Sequence, residues 1–157
     1  MDCRCTRRAL LKGAGAALAA GAIGCGTDVP QAADSGTSDG PNPHFTTCGT
    51  NQICVDLTQP QNAALTGING NIRFQAPNGD ALIVIRVDAT TVDTLSDICT
   101  HAGCQVNYSS GAKNLLCPCH GSLFSLSGTV LRGPALRPLK TYVTTFDQPS
   151  GLVTITL

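Results

Sequence analysis

Cys99-Thr100-His101-Ala102-Gly103-Cys104 and Cys117-Pro118-Cys119-His120-Gly121-Ser122 are the two stretches of this 157-residue chain from which the rest can be read. They lie twelve residues apart and combine as C-x-H, fifteen intervening residues, and C-x-x-H. Thiolate sulfur and imidazole nitrogen are the ligands that soft and borderline metal ions prefer. Cys99, His101, Cys117 and His120 therefore make a four-ligand metal site on paired loops. Cys104 and Cys119 are left over, one on each loop, and are free to join the loops to each other.

Both boxes resemble the motif of Rieske iron–sulfur proteins, C-T-H-x-G-C with C-P-C-H-G-S, in which two His replace two Cys on one iron of a [2Fe–2S] cluster. The resemblance implies that Cys99 and Cys117 hold the inner, all-sulfur iron and that His101 and His120 hold the outer iron near the surface. It also implies a Cys104–Cys119 disulfide clamping the two loops. The match continues at Gly133-Pro134-Ala135, which is similar to the proline loop covering the third side of the cluster. A structural zinc site is the other reading of these spacings. Zinc, however, gives no reason for Cys104, Cys119 and Ser122 at their matching positions. The chain has three histidines, and two of them fall in the motif.

Neutral histidines in place of thiolates make such a centre less negative, so its potential lies at roughly −150 to +300 mV against about −400 mV for plant-type clusters. Hydrogen bonds to sulfur raise it further by stabilising the reduced state. The resemblance puts Ser122 where high-potential members place a hydroxyl against a bridging sulfide. Two residues later those members carry a tyrosine that bonds a cysteine sulfur; here the residue is Phe124. The expected potential is therefore intermediate, and exposed imidazoles at His101 and His120 would couple it to pH.

At the other end of the chain, Thr6-Arg7-Arg8-Ala9-Leu10-Leu11-Lys12 resembles a twin-arginine export signal. The Gly/Ala/Leu run that follows, residues 13–24, would be roughly 18 Å long as a helix, against a hydrocarbon core of about 30 Å. Residues 1–24 are thus expected to be a signal peptide with an apolar core too short to span. Ala22-Ile23-Gly24-Cys25 resembles a lipobox, with Ala22 in place of the usual large aliphatic residue. Acylation at Cys25 is the expectation; plain cleavage to a soluble form and retention of the signal as a weak anchor are the alternatives. Cys3 and Cys5 leave with the signal, and Cys48 and Cys54 are expected to pair in a small loop worth about 2 kcal/mol. Every thiol is then assigned, as suits an oxidising compartment. A second metal-binding pair at Cys48 and Cys54 would need ligands that the neighbouring residues do not supply.

Residues 25–44 are Gly, Ser, Thr, Asp, Pro and Ala with hardly a large apolar side chain, a composition that cannot bury a core and reads as a disordered tether. Ten basic and ten acidic residues cancel over the whole chain. Without residues 1–24, and with Asp28, Asp34 and Asp39 in the tether, the folded part is near neutral. It offers no basic stripe for nucleic acid.

Residues 45–157 form one modest domain. Candidate strands at 53–57, 72–75, 81–87 (a continuous apolar run rich in β-branched residues), 92–98, 106–108, 114–116, 123–125, 139–146 and 152–157, with alternation, abundant Thr and Val, and Gly/Pro/Asn/Asp breaks at short spacing, predict an all-β fold with no helix outside the signal. The resemblance adds the arrangement: a base of antiparallel strands with a small cluster-binding subdomain inserted at about residues 96–138. Neither a substrate pocket nor an acid–base pair is legible, so no residue is proposed as catalytic and the chain reads as an electron carrier before an enzyme. The expected setting is the periplasm or the outer face of the cytoplasmic membrane. There the chain would be a small redox subunit or free carrier whose partner is a cytochrome or a large oxidoreductase subunit. A quinol-oxidising subunit of a cytochrome bc-type complex and a zinc-stabilised binding module are the other two readings.

Overall fold

The structure is a computed structural model and describes residues 42–157. The expected signal, the lipidation site at Cys25 and nearly all of the tether lie outside the described residues.

Seven strands make the base: β1 (Thr46–Gly49), β2 (Gln52–Asp56), β3 (Asn71–Gln75), β4 (Ala81–Arg86), β5 (Val92–Ser96), β10 (Thr141–Asp147) and β11 (Leu152–Thr156). They pair antiparallel in the order β1-β2-β11-β10-β5-β4-β3. Between β5 and β10 the chain leaves to build a second, four-stranded sheet of β6 (Asn107–Ser109), β7 (Asn114–Leu116), β8 (Leu123–Ser125) and β9 (Val130–Arg132). The two margins of the large sheet curl toward each other: Phe45, just before β1, stacks on Phe74 of β3 with ring centroids 4.6 Å apart. A cavity of about 280 Å³ remains between the β1–β2 turn and the β3–β4 turn. Among the described residues no helix is long and apolar enough to cross a membrane.

Strand β4 explains why its sequence is apolar without alternation. Leu82 and Val84 point into one core with Ile53, Val55, Val153 and Ile155, inside the curled sheet. Ile83 and Ile85 point the other way, into a second core shared with Val106, Leu115, Phe124 and Leu139 of the inserted segment. A strand buried on both faces reads as a continuous apolar run. The second core is what seats the small sheet against the base.

Three elements were not expected from the sequence: β1, β9 and a six-residue 3-10 helix at Pro60–Leu65. The last carries Asn62, fully buried, whose side chain accepts the His44 N–H at 2.9 Å and donates to the His44 carbonyl at 2.7 Å and the Asp56 carbonyl at 2.8 Å. The folded domain therefore already holds His44, at the end of β2.

Where the chain returns from the insertion, Asp80 accepts from Lys140 Nζ at 2.8 Å and from the Tyr142 hydroxyl at 2.8 Å. These bonds, Lys140 first, hold the Asp80 carboxyl below its ordinary value. A depressed carboxylate stabilises the fold at pH above its unfolded value, and that stability is lost as pH falls through the folded value. Asp80→Asn should therefore flatten the acid limb of stability against pH, measured by urea melts from neutral to strongly acid pH, while lowering stability at neutral pH.

Candidate metal centre

The two boxes form matching loops. Cys99 N–H donates to the Cys104 carbonyl at 2.8 Å and Gly103 N–H to the Cys99 carbonyl at 3.0 Å. In the second loop Cys117 N–H donates to the Ser122 carbonyl at 2.8 Å and Gly121 N–H to the Cys117 carbonyl at 3.0 Å. Gly103 and Gly121 both take φ of 76°, the left-handed region where a side chain is strained. Each loop so closed turns its inner N–H groups toward its own leading cysteine.

Cys99 and Cys117 are buried free thiols, and both belong to the second core. Burial pushes the Cys99 thiol up, but the N–H groups of His101 and Ala102, the Cys117 thiol and the Ser122 hydroxyl together carry it below the ordinary value. Burial and the hydrogen bond with Cys99 push Cys117 up, against the N–H groups of Cys119 and His120. The two sulfurs thus face each other, each cradled by N–H donors that favour a thiolate. His101 and His120 lie outside them, exposed, with ring centroids 4.8 Å apart and planes nearly perpendicular.

Cys104 and Cys119 are joined by a disulfide, and Cys48 and Cys54 by another. The sulfurs of Cys104, Cys117 and Cys119 lie within 4.8 Å of one another. The first and third are bonded together and have no thiolate to offer, so Cys117 is the only one of that trio able to serve as a ligand. The donor set that remains is two buried thiols and two exposed imidazoles, the chemistry a mixed-ligand [2Fe–2S] cluster demands.

A third segment, residues 133–138, is bonded to both loops. Thr100 Oγ1 donates to the Arg137 carbonyl at 2.6 Å, and Ala135 N–H donates to the Ser122 hydroxyl at 3.0 Å. Ser122 is fully buried; the Ala135 N–H fills an acceptor position and leaves the hydroxyl hydrogen available to sulfur. Phe124 is fully buried beside the thiols. Arg132 Nε donates to the Gly121 carbonyl at 3.1 Å, next to His120.

Sequence reasoning missed Arg132, and it missed the buried pair behind the first loop. Asp97, 3% exposed, accepts from Arg73 Nε at 3.1 Å and from Gln105 Nε2 at 2.6 Å. Arg73 Nη2 also donates to the Val106 carbonyl at 2.8 Å. An acid two residues ahead of Cys99, at the end of the segment read as a strand, was the available signal.

The family model for the Rieske [2Fe-2S] domain matches residues 61–143. A cytochrome b6-f complex iron-sulfur subunit of Prochlorococcus marinus (strain NATL1A) is 52% identical over 54 residues, 34% of this chain and 30% of that protein. The corresponding subunit of Chlorobaculum tepidum is 33% identical over 87 residues, 55% of this chain and 48% of that one. The chain thus spans less than half the length of these curated relatives. Among solved structures, the cyanobacterial plasma membrane Rieske protein PetC3 from Synechocystis PCC 6803 is 31% identical with a TM-score of 0.50, covering 55% of this chain and 86% of that one. With both loops, their donor set and more than half of the residues matched, the chain belongs to the Rieske [2Fe-2S] family.

Proposed function

We propose that this protein carries single electrons outside the cytoplasmic membrane, as a small redox subunit or free carrier serving an oxidoreductase. Cys99 and Cys117 would hold the inner iron and His101 and His120 the outer one. When bound, the cluster takes up and releases one electron at a potential of roughly −150 to +300 mV. The observation that carries this reading is the burial order of the donors: both thiols lie in the core and both imidazoles reach solvent. A partner therefore meets the histidine side, while Phe124 and its neighbours keep water from the sulfurs. The loop N–H groups and the Ser122 hydroxyl stabilise negative charge on the sulfur side.

The similarity to cytochrome b6-f iron-sulfur subunits favours a second reading, a quinol-oxidising subunit beside a cytochrome b. Phe124, which cannot donate to sulfur, speaks for the first. Co-purification separates them: a cytochrome b supports the second, a large molybdenum subunit the first. A redox titration of the holoprotein followed by paramagnetic resonance, with iron and acid-labile sulfide analysis, tests both. A colourless protein with one zinc and no sulfide would sink both readings.

Phe124→Tyr should raise the midpoint. A hydrogen bond to sulfur that strengthens by about 1 kcal/mol on reduction corresponds to about 40 mV for one electron. A stability loss with an unchanged midpoint would mean that the new hydroxyl does not reach sulfur.

A further inference from the structure

The near-neutral sum of charges hides a sharp separation. Between Ile98 and Lys140 the sequence holds four basic side chains, Lys113, Arg132, Arg137 and Lys140, and no carboxylate. The rest of the described domain holds Arg73 and Arg86 against six aspartates. The fold puts this division to use, because the acid-free segment is the one that builds the ligand loops and their lid.

Around the two histidines the arrangement is specific. Arg132 is bonded to the backbone beside His120, and Arg137 follows Leu136 in the segment bonded to both loops. Leu136 is 94% exposed, the most exposed large apolar side chain of the described domain. The two remaining cations lie elsewhere: Lys140 is paired with Asp80 at 2.8 Å, and Lys113 sits in the β6–β7 turn, at the opposite end of the small sheet from the second ligand loop. Asp97, two residues ahead of the first loop, is buried and paired with Arg73. Among the described residues neither Arg132 nor Arg137 is paired with a carboxylate.

We infer that the histidine end docks onto a redox protein whose own docking patch is an apolar centre rimmed by carboxylates. This rests on the electron-transfer reading and adds the surface chemistry of the partner. An exposed leucine between cations is the anatomy of a transient protein interface, with an apolar core and a polar rim. Complementary charge steers the encounter and rejects partners of like sign. Among the described residues the aspartates are confined to the base and the unpaired arginines to the histidine end, a division that would turn an acidic partner toward that end before contact.

The test uses oxidised holoprotein and two oxidised probes, an acidic flavodoxin and a basic cytochrome c, with binding measured by calorimetry at low salt. Because no electron moves, the result does not depend on the cluster's activity. That the cluster is redox-active is checked separately by its paramagnetic signal after reduction, so failure of the electron-transfer reading is visible on its own. The flavodoxin should bind and the cytochrome should not, and flavodoxin affinity should fall as salt shortens the screening length. Arg137→Glu, which leaves the backbone carbonyl to Thr100 intact, should weaken flavodoxin binding roughly tenfold. Lys113→Glu changes the net charge equally but lies away from the histidines, so it should weaken binding far less. Leu136→Ala should weaken binding at high and low salt alike. Equal weakening by Arg137→Glu and Lys113→Glu, or equal affinity for both probes, would overturn the inference. So would sedimentation with phosphatidylserine vesicles that Arg137→Glu abolishes while flavodoxin binding is absent; the patch would then belong to an anionic lipid surface.

Discussion

Arg73→Met is expected to cost the domain about 3–5 kcal/mol of folding stability, read as a drop in the urea midpoint at unchanged slope. The guanidinium serves two groups at once, the Asp97 carboxylate through Nε and the Val106 carbonyl through Nη2. Its removal leaves a carboxylate with a side chain only 4% exposed facing Gln105 alone, and a fully buried residue with an orphaned carbonyl. Both are groups whose desolvation is no longer compensated. Asp97→Asn keeps the shape and one acceptor, and Arg73 retains 29% exposure to water, so that change should cost only about 1–2 kcal/mol. Asp97 lies two residues before Cys99 and Val106 two after Cys104, so one arginine on β3 braces both ends of the first ligand loop. Arg73→Met should therefore also broaden the paramagnetic spectrum of the reduced holoprotein, which a purely distant loss of stability would leave sharp.

Cys104→Ala/Cys119→Ala is expected to cost about 3 kcal/mol through the 15-residue separation that the bond closes. It should also speed bleaching of the visible absorption when the holoprotein is warmed. The disulfide is the one covalent tie between the two ligand loops; the 133–138 segment joins them otherwise only by the single bonds at Thr100 and Ser122. Cys48→Ala/Cys54→Ala removes a bond of sequence separation 6, worth about 2 kcal/mol, between β1 and β2 of the base. That variant should melt earlier yet bleach no faster than its own unfolding requires. If both double variants bleach alike, the loop disulfide has no role beyond general stability.

How much of this was legible beforehand depended on range along the chain. Strands β7 and β8 were read to the residue because they flank the second box, and β4 within one because its β-branched run is a local signal. Strand β1 is exposed along its whole length and shows no alternation. Strand β9 shows no alternation and is mostly exposed, with neither ligand box beside it, and the 3-10 helix of six residues is too short for a helical periodicity to show. The second core could not be seen, because which face of β4 meets Phe124 is decided by pairing across forty residues. The ligand boxes were legible as motifs, whereas their matching hydrogen-bond closure was not. Arg73 and Asp97, 24 residues apart, pair only once β3 is laid beside β4 and β4 beside β5. The charges were all visible, but adding them into one sum erased the polarity that the fold creates.

The clasp of Asn62 on His44 has a mechanical consequence. It fastens the incoming polypeptide where β2 ends at Asp56, level with the far end of β10, whereas the insertion returns at Thr141 some 20 Å away along that strand. Any pull transmitted through the residues ahead of Asn42 thus acts on the pole remote from the imidazoles. An attachment made through that pole would leave the histidine face turned away from the point of suspension.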